Sequence, residues 1–270
     1  MRFSRRLLGG AVAVLAAMSW ATPANAVPTK TSFFQFNMAG SSVNEGSLGV
    51  AGAVVSSVED TSYGMPFIVT LNEVCLNQHT HIESALDDHG YVGTWGPTGP
   101  TCDNGQPYGN SIFMKSGRSK LGNFSLPNPN GNEPRKLLCV SSNGYEKWIG
   151  CVTHISPKAG DQAVQIAAVA DRLNGFRDDG YRVVVGRDFN VTPDHSALDP
   201  MYASCYGGDG QFYETDRAAC DGRGGESTHG DRKIDYIFYS SHFYSLWGDA
   251  TRSSYSDHDP LWGRAYVTAP

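Results

Sequence analysis

The stretch "YRVVVGRDFN", residues 181–190, joins a run of valines to a polar ending. The valines predict a buried strand. Buried strands normally finish in turn residues, but this one finishes in Asp188 and Asn190, which flank a phenylalanine. Because a buried acid or amide needs hydrogen-bond partners, the ending indicates that other polar groups lie close to it.

Five further segments read as strands that carry a polar residue at or near one end. A lone Asn, Asp or His in such a place is more often a turn residue or a cap. An acid inside an apolar strand must instead find a cation or a donor. If the strand ends gather at one edge of a layered sheet, the side chains form a single cleft. The segments are "TSFFQFNM" (31–38), "PFIVTLNEV" (66–74), "KWIGCVTHI" (147–155), "KIDYIFYS" (233–240) and "PLWGRAYV" (260–267), with Asn37, Glu73, His154, Asp235 and the Asp257–His258 pair.

The rest of the chain alternates helices, hairpins and polar turns, which predicts one layered α/β domain over residues 27–270. We expect a weak helix over 43–60 and a clear one over 159–176, capped by Asp161 and ending near Gly175. Further strands are expected over 109–116 and 136–142, and an Asn143-Gly144 turn should follow the second. Residues 96–109 and 205–231 read as loops.

Residues 1–26 have the layout of a secretory signal: a basic start, a short apolar run and Ala24-Asn25-Ala26. Paired arginines leave both general and twin-arginine export open. Without this leader the chain holds 18 basic and 27 acidic residues, a net charge of −9. That balance argues against a passive nucleic-acid coat protein. We expect a secreted protein with no stable membrane insertion.

The six cysteines all follow the leader, and an even number in an exported chain favours disulfides. Fifteen connectivities are open to six cysteines. Proximity favours Cys139–Cys151 across a hairpin and Cys205–Cys220 closing a loop, with Cys75–Cys102 remaining. No C-x-x-C pair occurs, which makes a thiolate zinc site unexpected.

The polar residues at the strand ends limit the chemistry. Carboxylates and amides without thiolates suit hard cations such as Mg²⁺, Mn²⁺ or Ca²⁺, for which Glu73, Asp257 and Asn37 are the candidate ligands. His258 is a candidate base, with Asp235 holding its tautomer. Hydrogen bonds from His154 and Asn190 are suited to a phosphoryl oxygen.

Seven motifs, in this order and spacing, resemble those of the endonuclease/exonuclease/phosphatase family across about residues 31–267: "FNMAG", "LNEVC", "YGNSIF", "VTHIS", "GRDFN", "KIDYIF" and "SDHDPL". The resemblance implies a deoxyribonuclease I-like four-layer α/β sandwich, in which helices flank two packed mixed β-sheets. It also implies metal-dependent phosphoester hydrolysis. Asn37, Glu73 and Asp257 then belong to the metal site, and His154, Asp188, Asn190, Asp235 and His258 to the catalytic set.

Three further residues enter as substrate contacts. Tyr108 matches a tyrosine that contacts the phosphate backbone in nuclease members of the family, and Arg135 matches an active-site arginine. Surface charge and ordinary packing are the alternatives for these two. Arg187 stands where many members have glycine, and either adds a cation beside the phosphate or points away. Cys75 replaces an arginine that reaches the minor groove in deoxyribonuclease I.

The first functional hypothesis is a secreted, monomeric nuclease that hydrolyses DNA or RNA. Four cations in or next to the motifs, Arg135, Arg187, Arg232 and Lys233, favour a polyanion groove despite the acidic total. The alternative within the family is a sphingomyelinase, phospholipase C or phosphoinositide phosphatase. An exposed aromatic patch near Trp247 would favour lipid, although the core is the favoured place for Phe243, Tyr244, Leu246 and Trp247. A binding module without catalysis is the third hypothesis, and the intact polar set argues against it.

Overall fold

The computed structural model describes residues 29–60, 62–115, 118–142, 147–217, 220 and 222–267. The predicted leader and the predicted Asn143-Gly144 turn lie outside these residues. Within them, no helix is both long enough and apolar enough to span a membrane.

Two six-stranded sheets form the centre of the fold. The first has the strand order β11-β12-β1-β2-β4-β3, and the second has the order β5-β6-β7-β8-β10-β9. The strands are β1 (Thr29–Asn37), β2 (Ile68–Cys75), β3 (Tyr91–Thr101), β4 (Pro107–Lys115), β5 (Arg118–Ser125), β6 (Lys136–Ser142), β7 (Trp148–His154), β8 (Arg182–Asp188), β9 (Tyr213–Glu214), β10 (Asp235–Tyr239), β11 (Phe243–Ala250) and β12 (Leu261–Val267). The helices are α1 (Gly49–Glu59), α2 (Leu76–Leu86) and α3 (Ala159–Asp178).

Both sheets are mixed and lie face to face. β1 runs parallel to β2 and β7 parallel to β8, while the other pairs are antiparallel. Helices α1 and α2 cover the outer face of the first sheet with Val54 and Ile82. Helix α3 covers the second sheet with Ile166 and Val169. The four layers confirm the predicted sandwich.

The valines of β8 are buried on both faces, because the strand lies between a helix and a sheet. Val183 and Val185 pack in the cluster that contains α3, whereas Val184 points into the interface between the sheets. This is why the strand reads as an uninterrupted apolar run rather than as an alternation.

Most predicted elements are present, with shifted ends. Helix α1 begins at Gly49 rather than at residue 43, and α3 continues to Asp178. Asp161 is not the cap of α3: Lys158 holds that position, and Asp161 is buried in the first turn, where it accepts hydrogen bonds from Asn130 and Asn132. The predicted loop over 96–109 was largely wrong, because β3 runs to Thr101 and β4 starts at Pro107.

Three disulfides join the predicted pairs, Cys75–Cys102, Cys139–Cys151 and Cys205–Cys220. Cys139 and Cys151 are opposite residues on β6 and β7. Cys75–Cys102 links the end of β2 to the turn after β3 and packs with Tyr108. Three disulfides in one domain suggest a location outside the cytoplasm.

A buried polar layer replaces the apolar core near one end of the sheet interface. Thr70 Oγ1 donates to Gln35 Oε1 at 2.7 Å, and Gln35 Nε2 donates to Asn72 Oδ1 at 2.8 Å. Gly186 of β8 faces this layer. A Cβ atom there would lie 2.0 Å from Thr70 Oγ1 and 2.9 Å from Gln35 Oε1. The glycine of "GRDFN" is therefore required by the close approach of the two sheets.

Gly186→Ala is expected to lower the free energy of unfolding by about 1–3 kcal/mol, because the methyl group overpacks the interface. The measurement is urea unfolding followed by tryptophan fluorescence. Gly175→Ala is the control: this position of α3 is exposed and nothing lies within 4 Å of an added Cβ atom, so the change should be neutral or stabilise the fold. Equal stability of Gly186→Ala and wild type would contradict the packing argument.

Candidate active site

The polar residues predicted at the strand ends meet at one edge of the sandwich. The carboxyl ends of β1, β2, β7 and β8 lie there, and β10 starts there because it runs antiparallel to β8. Asp188 is paired in the register with His154 on one side and with Asp235 on the other. The loop before β12 adds His258 to the same edge, where it contacts both Asp235 and Asn37.

Asp235 and His258 form the tightest contact of the site. His258 Nδ1 lies 2.7 Å from Asp235 Oδ2, so Nδ1 carries the proton and donates it. Thr228 Oγ1 accepts hydrogen bonds from the backbone N–H groups of Ile234 and Asp235, which holds the start of β10 in place. His258 Nε2 then faces Asp188 Oδ2 at 3.7 Å and the Asn37 amide nitrogen at 3.4 Å.

Buried negative charge sets the protonation of this pair. Burial by itself lowers the pKa of His258, but the attraction of Asp235, joined by Asp188 and Asp257, outweighs it and raises the pKa to about 10. Burial and repulsion from Asp235 raise the pKa of Asp188 to about 7. The edge therefore contains more negative charge than its protein partners neutralise.

His154 is held in a neutral form next to Asp188. Arg135 NH1 lies 2.8 Å from His154 Nδ1, and a guanidinium only donates, so the ring proton lies on Nε2. Nε2 is 3.4 Å from Asp188 Oδ2. Burial and the charges of Arg135 and His258 keep the pKa of His154 well below its usual value.

Two site residues have left-handed backbone conformations, which are uncommon for residues other than glycine. Glu73 has φ of 56° and lies where the register of β2 against β4 shifts. Asn190 has φ of 55°, and its backbone N–H donates to Asp188 Oδ1 at 2.8 Å. The irregular backbone turns Glu73 out of the strand alternation and into the cleft.

Asn37 lies at the centre of the site as a donor. Its Nδ2 is 3.0 Å from Glu73 Oε1 and 3.1 Å from Asp188 Oδ2. Its Oδ1 accepts the backbone N–H of Ala39 and so points away from the carboxylates. In this arrangement Asn37 holds the two acids together through hydrogen bonds and does not present the oxygen expected of a metal ligand.

The acids fit a hard divalent cation. Besides the shared contact with Asn37, single ligand atoms of Asp188, Asp235 and His258 lie within 4.8 Å of one another. Asp235 Oδ1 is buried and has no hydrogen-bond partner among the described residues. A buried carboxylate oxygen without a partner is costly, and a nearby cation would compensate it. Asp188 and Asp235 supply the carboxylates of this group, and Glu73 lies beside them through the Asn37 Nδ2 that it shares with Asp188.

Asp257 lies on the outer side of the site. About half of its side chain is exposed, with a relative accessibility of 53%, and its Oδ2 lies 3.4 Å from His229 Nε2. Its other side-chain contact is with Ser256. The neighbouring Asp259 belongs to a turn, in which its Oδ1 accepts a hydrogen bond from the backbone N–H of Ser253.

A cavity of about 390 Å³ opens beside Glu73 and His154. Tyr108 and Arg135, both predicted as substrate contacts, line it. Glu133 also lines it and lies 3.2 Å from Arg135 NH1. With Asp103 in addition, the wall carries three carboxylates and one guanidinium.

Arg187 does not reach the cleft, which corrects the predicted substrate contact. It is fully buried, with its guanidinium carbon 3.5 Å from the centre of the Phe189 ring and 5.4 Å from that of Phe238. None of its three side-chain nitrogens has a hydrogen-bond partner among the described residues. Neighbouring residues in a strand face opposite ways, so Arg187 points toward the α3 side while Asp188 points to the site.

Several residues of the site were not predicted. Asn72 lies inside an apolar strand. Its side chain accepts a hydrogen bond from the backbone N–H of Asp188 at 3.0 Å and donates one to the backbone carbonyl of Thr153 at 2.8 Å. An amide in the middle of "IVTLNEV" was the available signal. Thr228 and His229 lie in a glycine-rich stretch with no periodicity, and Glu133 became recognisable only through its contact with Arg135.

Asn72→Ala is expected to reduce the free energy of unfolding by about 2–4 kcal/mol, because it leaves buried groups on both sheets without partners. Urea unfolding measures this loss. Hydrolytic activity below the unfolding transition should also fall, since the backbone of Asp188 loses its anchor. Unchanged stability would show that water replaces the amide and that Asn72 does not join the sheets.

The model of the Endonuclease/Exonuclease/phosphatase family matches residues 34–258. No curated protein matches the chain. Among solved structures, a catalytic domain of human Nocturnin is similar with a TM-score of 0.64 and 16% identity, over 88% of this chain and 95% of that one. TDP2 from Caenorhabditis elegans is similar with a TM-score of 0.67 and 16% identity, over 88% and 75%.

A bacterial structure named for the same family, from Bacteroides vulgatus, is similar with a TM-score of 0.66 and 15% identity, over 88% of this chain and 99% of that one. Identities this low support the shared fold alone. The family match covers most of the chain and includes every strand end that builds the cleft. The chain therefore belongs to the endonuclease/exonuclease/phosphatase family.

Proposed function

We propose that this protein is a secreted, divalent-metal-dependent phosphodiesterase whose main substrate is DNA or RNA. The observation that carries the proposal is the Asp235–His258 pair, with His258 Nε2 directed at the Asp188 side of a carboxylate-lined edge. Family membership supports phosphoester hydrolysis, and the acid cluster supports a hard cation. Mg²⁺ is the first candidate, with Mn²⁺ and Ca²⁺ as alternatives.

His258 is the group that takes the proton from the attacking water. In the neutral ring, Asp235 fixes the Nδ1–H tautomer and so directs the Nε2 lone pair at the site, and it stabilises the imidazolium once the proton has moved. A bound divalent cation would offset the surrounding negative charge, lower the pKa of His258 toward neutrality and polarise the phosphoryl group. Asp188 Oδ2 lies 3.7 Å from Nε2, close enough for both groups to bind the same water from one side and orient it.

His154 and Asn190 are suited to bind the phosphoryl oxygens. The Nε2–H of neutral His154 is a donor next to Asp188, and the side-chain amide of Asn190 lies 3.0 Å from the same nitrogen. Donors fixed in advance stabilise the charge that develops on those oxygens. Arg135 acts on the phosphate indirectly, because its contact with Nδ1 sets the tautomer of His154.

Tyr108 in the cavity beside Glu73 supports a nucleic-acid substrate, as the family resemblance implies. The four basic residues that were expected to form a polyanion groove give the nucleic-acid substrate less support than Tyr108 does. Arg187 is buried on the other face, Arg135 is paired with Glu133, and Lys233 is buried between Glu214 and Asp216. Arg232 is the exposed member of the set.

A phosphodiester with a small headgroup, such as a lipid headgroup, is the second candidate. The three carboxylates in the cavity disfavour a second phosphate there and accept a neutral or cationic group. Tyr244 and Trp247 on β11 are each about 40% exposed, whereas Phe243 and Leu246 are in the core. Trp247 also stacks on Tyr63, so the aromatic surface available to a lipid is small.

Asp235→Asn should reduce kcat for nicking of supercoiled plasmid by about 10²–10⁴-fold in Mg²⁺, because His258 loses the acid that fixes its tautomer. Gel electrophoresis of plasmid incubated with the mature, disulfide-bonded protein measures this. EDTA and Glu73→Ala should each abolish nicking. Asp194→Asn, an exposed loop carboxylate that binds Thr192, is the matched control and should leave the rate unchanged.

One outcome bears on the substrate and another on the catalytic base. Intact plasmid together with metal-dependent release of phosphocholine from sphingomyelin would replace nucleic acid by the second candidate. Full plasmid nicking by Asp235→Asn would contradict the assignment of His258 as the base. The protein is expected to act as a monomer, which gel filtration of the active protein tests, and not to insert into membranes, which co-sedimentation with lipid vesicles tests.

A further inference from the structure

His229, in the stretch "STHGD" (227–231), lies against the loop that carries His258. The two imidazole rings meet edge to face, with their centres 4.6 Å apart. His229 Nε2 is 3.4 Å from Asp257 Oδ2. Since the side chains of His229 and Asp257 are respectively 30% and 53% exposed, solvent reaches this group directly. His229 has no role in the phosphodiester hydrolysis proposed above.

The distances within this group are those of a metal site. One ligand atom from each of His229, Asp257 and His258 lies within 4.8 Å of the other two. In a tetrahedral zinc site with bonds of about 2.0–2.2 Å, neighbouring ligand atoms are about 3.3–3.5 Å apart. The His229–Asp257 pair already has this spacing, at 3.4 Å, and the ligand atom of His258 lies within 4.8 Å of both.

The donor types differ from those of the hard-cation site. Glu73 and Asp188 offer carboxylates, whereas this group offers two imidazole nitrogens and one carboxylate. Imidazole suits zinc and related transition metals better than Mg²⁺ or Ca²⁺. His258 is also prepared as a ligand, because its Nδ1–H is held by Asp235, the contact that metal-bound histidines commonly make with their second nitrogen.

We propose that His229, Asp257 and His258 form a binding site for a zinc ion, separate from the carboxylates that hold the catalytic cation. The site takes the lone pair of His258 that the hydrolytic reaction needs. Zinc bound there is therefore an inhibitor, and this consequence rests on the proposed function, whereas the binding itself does not.

Arg232 hinders zinc binding by His229, because it fixes the position of the proton on the His229 ring. Its NH2 group lies 3.1 Å from His229 Nδ1 and donates to it, which places the His229 proton on Nε2. Zinc must displace that proton to Nδ1 and turn Arg232 away. Arg232 is exposed, so its movement is inexpensive.

The test is isothermal titration of zinc chloride into the metal-free, disulfide-bonded protein in the presence of excess Mg²⁺, which occupies the carboxylate site. We expect one zinc ion per chain for the wild type. His229→Gln should weaken the affinity at least tenfold, and Asp257→Asn should weaken it as well. Circular dichroism of both variants establishes that they are folded.

His89→Gln is the matched control, because His89 forms an exposed pair with Glu59 at 3.0 Å without belonging to the three-ligand group. It should bind zinc as the wild type does. Wild-type zinc affinity in His229→Gln, or no zinc binding by the wild type, would overturn the site.

Inhibition is measured separately, as the rate of hydrolysis with zinc relative to the zinc-free rate of the same variant. His229→Gln should be less sensitive than the wild type. Zinc binding that depends on His229 but leaves the hydrolysis rate unaffected would retain the metal site and contradict the role of His258 as the base. The two proposals thus fail in different experiments.

Discussion

The active edge depends on one buried amide that joins the two sheets. Asn72 belongs to β2 of the first sheet, and it accepts from the backbone of Asp188 and donates to the carbonyl of Thr153, both in the second sheet. The same side chain binds Gln35 and Asn110 within its own sheet. Each of these bonds replaces water that the interface excludes. The amide thus fixes how far the strand ends of one sheet lie from those of the other.

This connection explains why the acids can be so close together. Asp188 and Asp235 are paired across neighbouring strands and are both buried, an arrangement that repulsion and desolvation oppose. The register of β8 against β10 places the two residues directly opposite each other. The cost is reduced by the imidazolium of His258 and by the donors of Asn37 and Asn190, and a divalent cation would reduce it further. Rigid packing below the edge therefore maintains an electrostatic arrangement that a flexible loop would relax.

The central strands and the edge that carries the site could be predicted from the sequence, because both depend on local residue patterns. Apolar runs located β1, β2, β7, β8 and β10, and the polar residue at the end of each identified the edge. Helix α2 and strand β3 were missed because their residues contradict the usual signals: α2 is rich in polar residues and β3 contains three glycines and two prolines. The predicted role of Arg187 as a substrate contact was wrong, and the sequence alone could have shown this. Arg187 is next to Asp188 in the same strand, so the two side chains face opposite sides of the sheet. Distances between remote segments, such as that between His229 and Asp257, have no local signature.

The left-handed backbone of Glu73 and Asn190 has a consequence for how the protein can change. A side chain at positive φ costs about 1–2 kcal/mol, and glycine there would relieve it. Screening variants for thermal stability alone would therefore favour glycine at two positions that present a carboxylate and an amide to the site. At these two positions selection for stability favours glycine, whereas selection for function favours the glutamate and the asparagine. Improved thermostability in a variant library therefore has to be sought elsewhere in the fold.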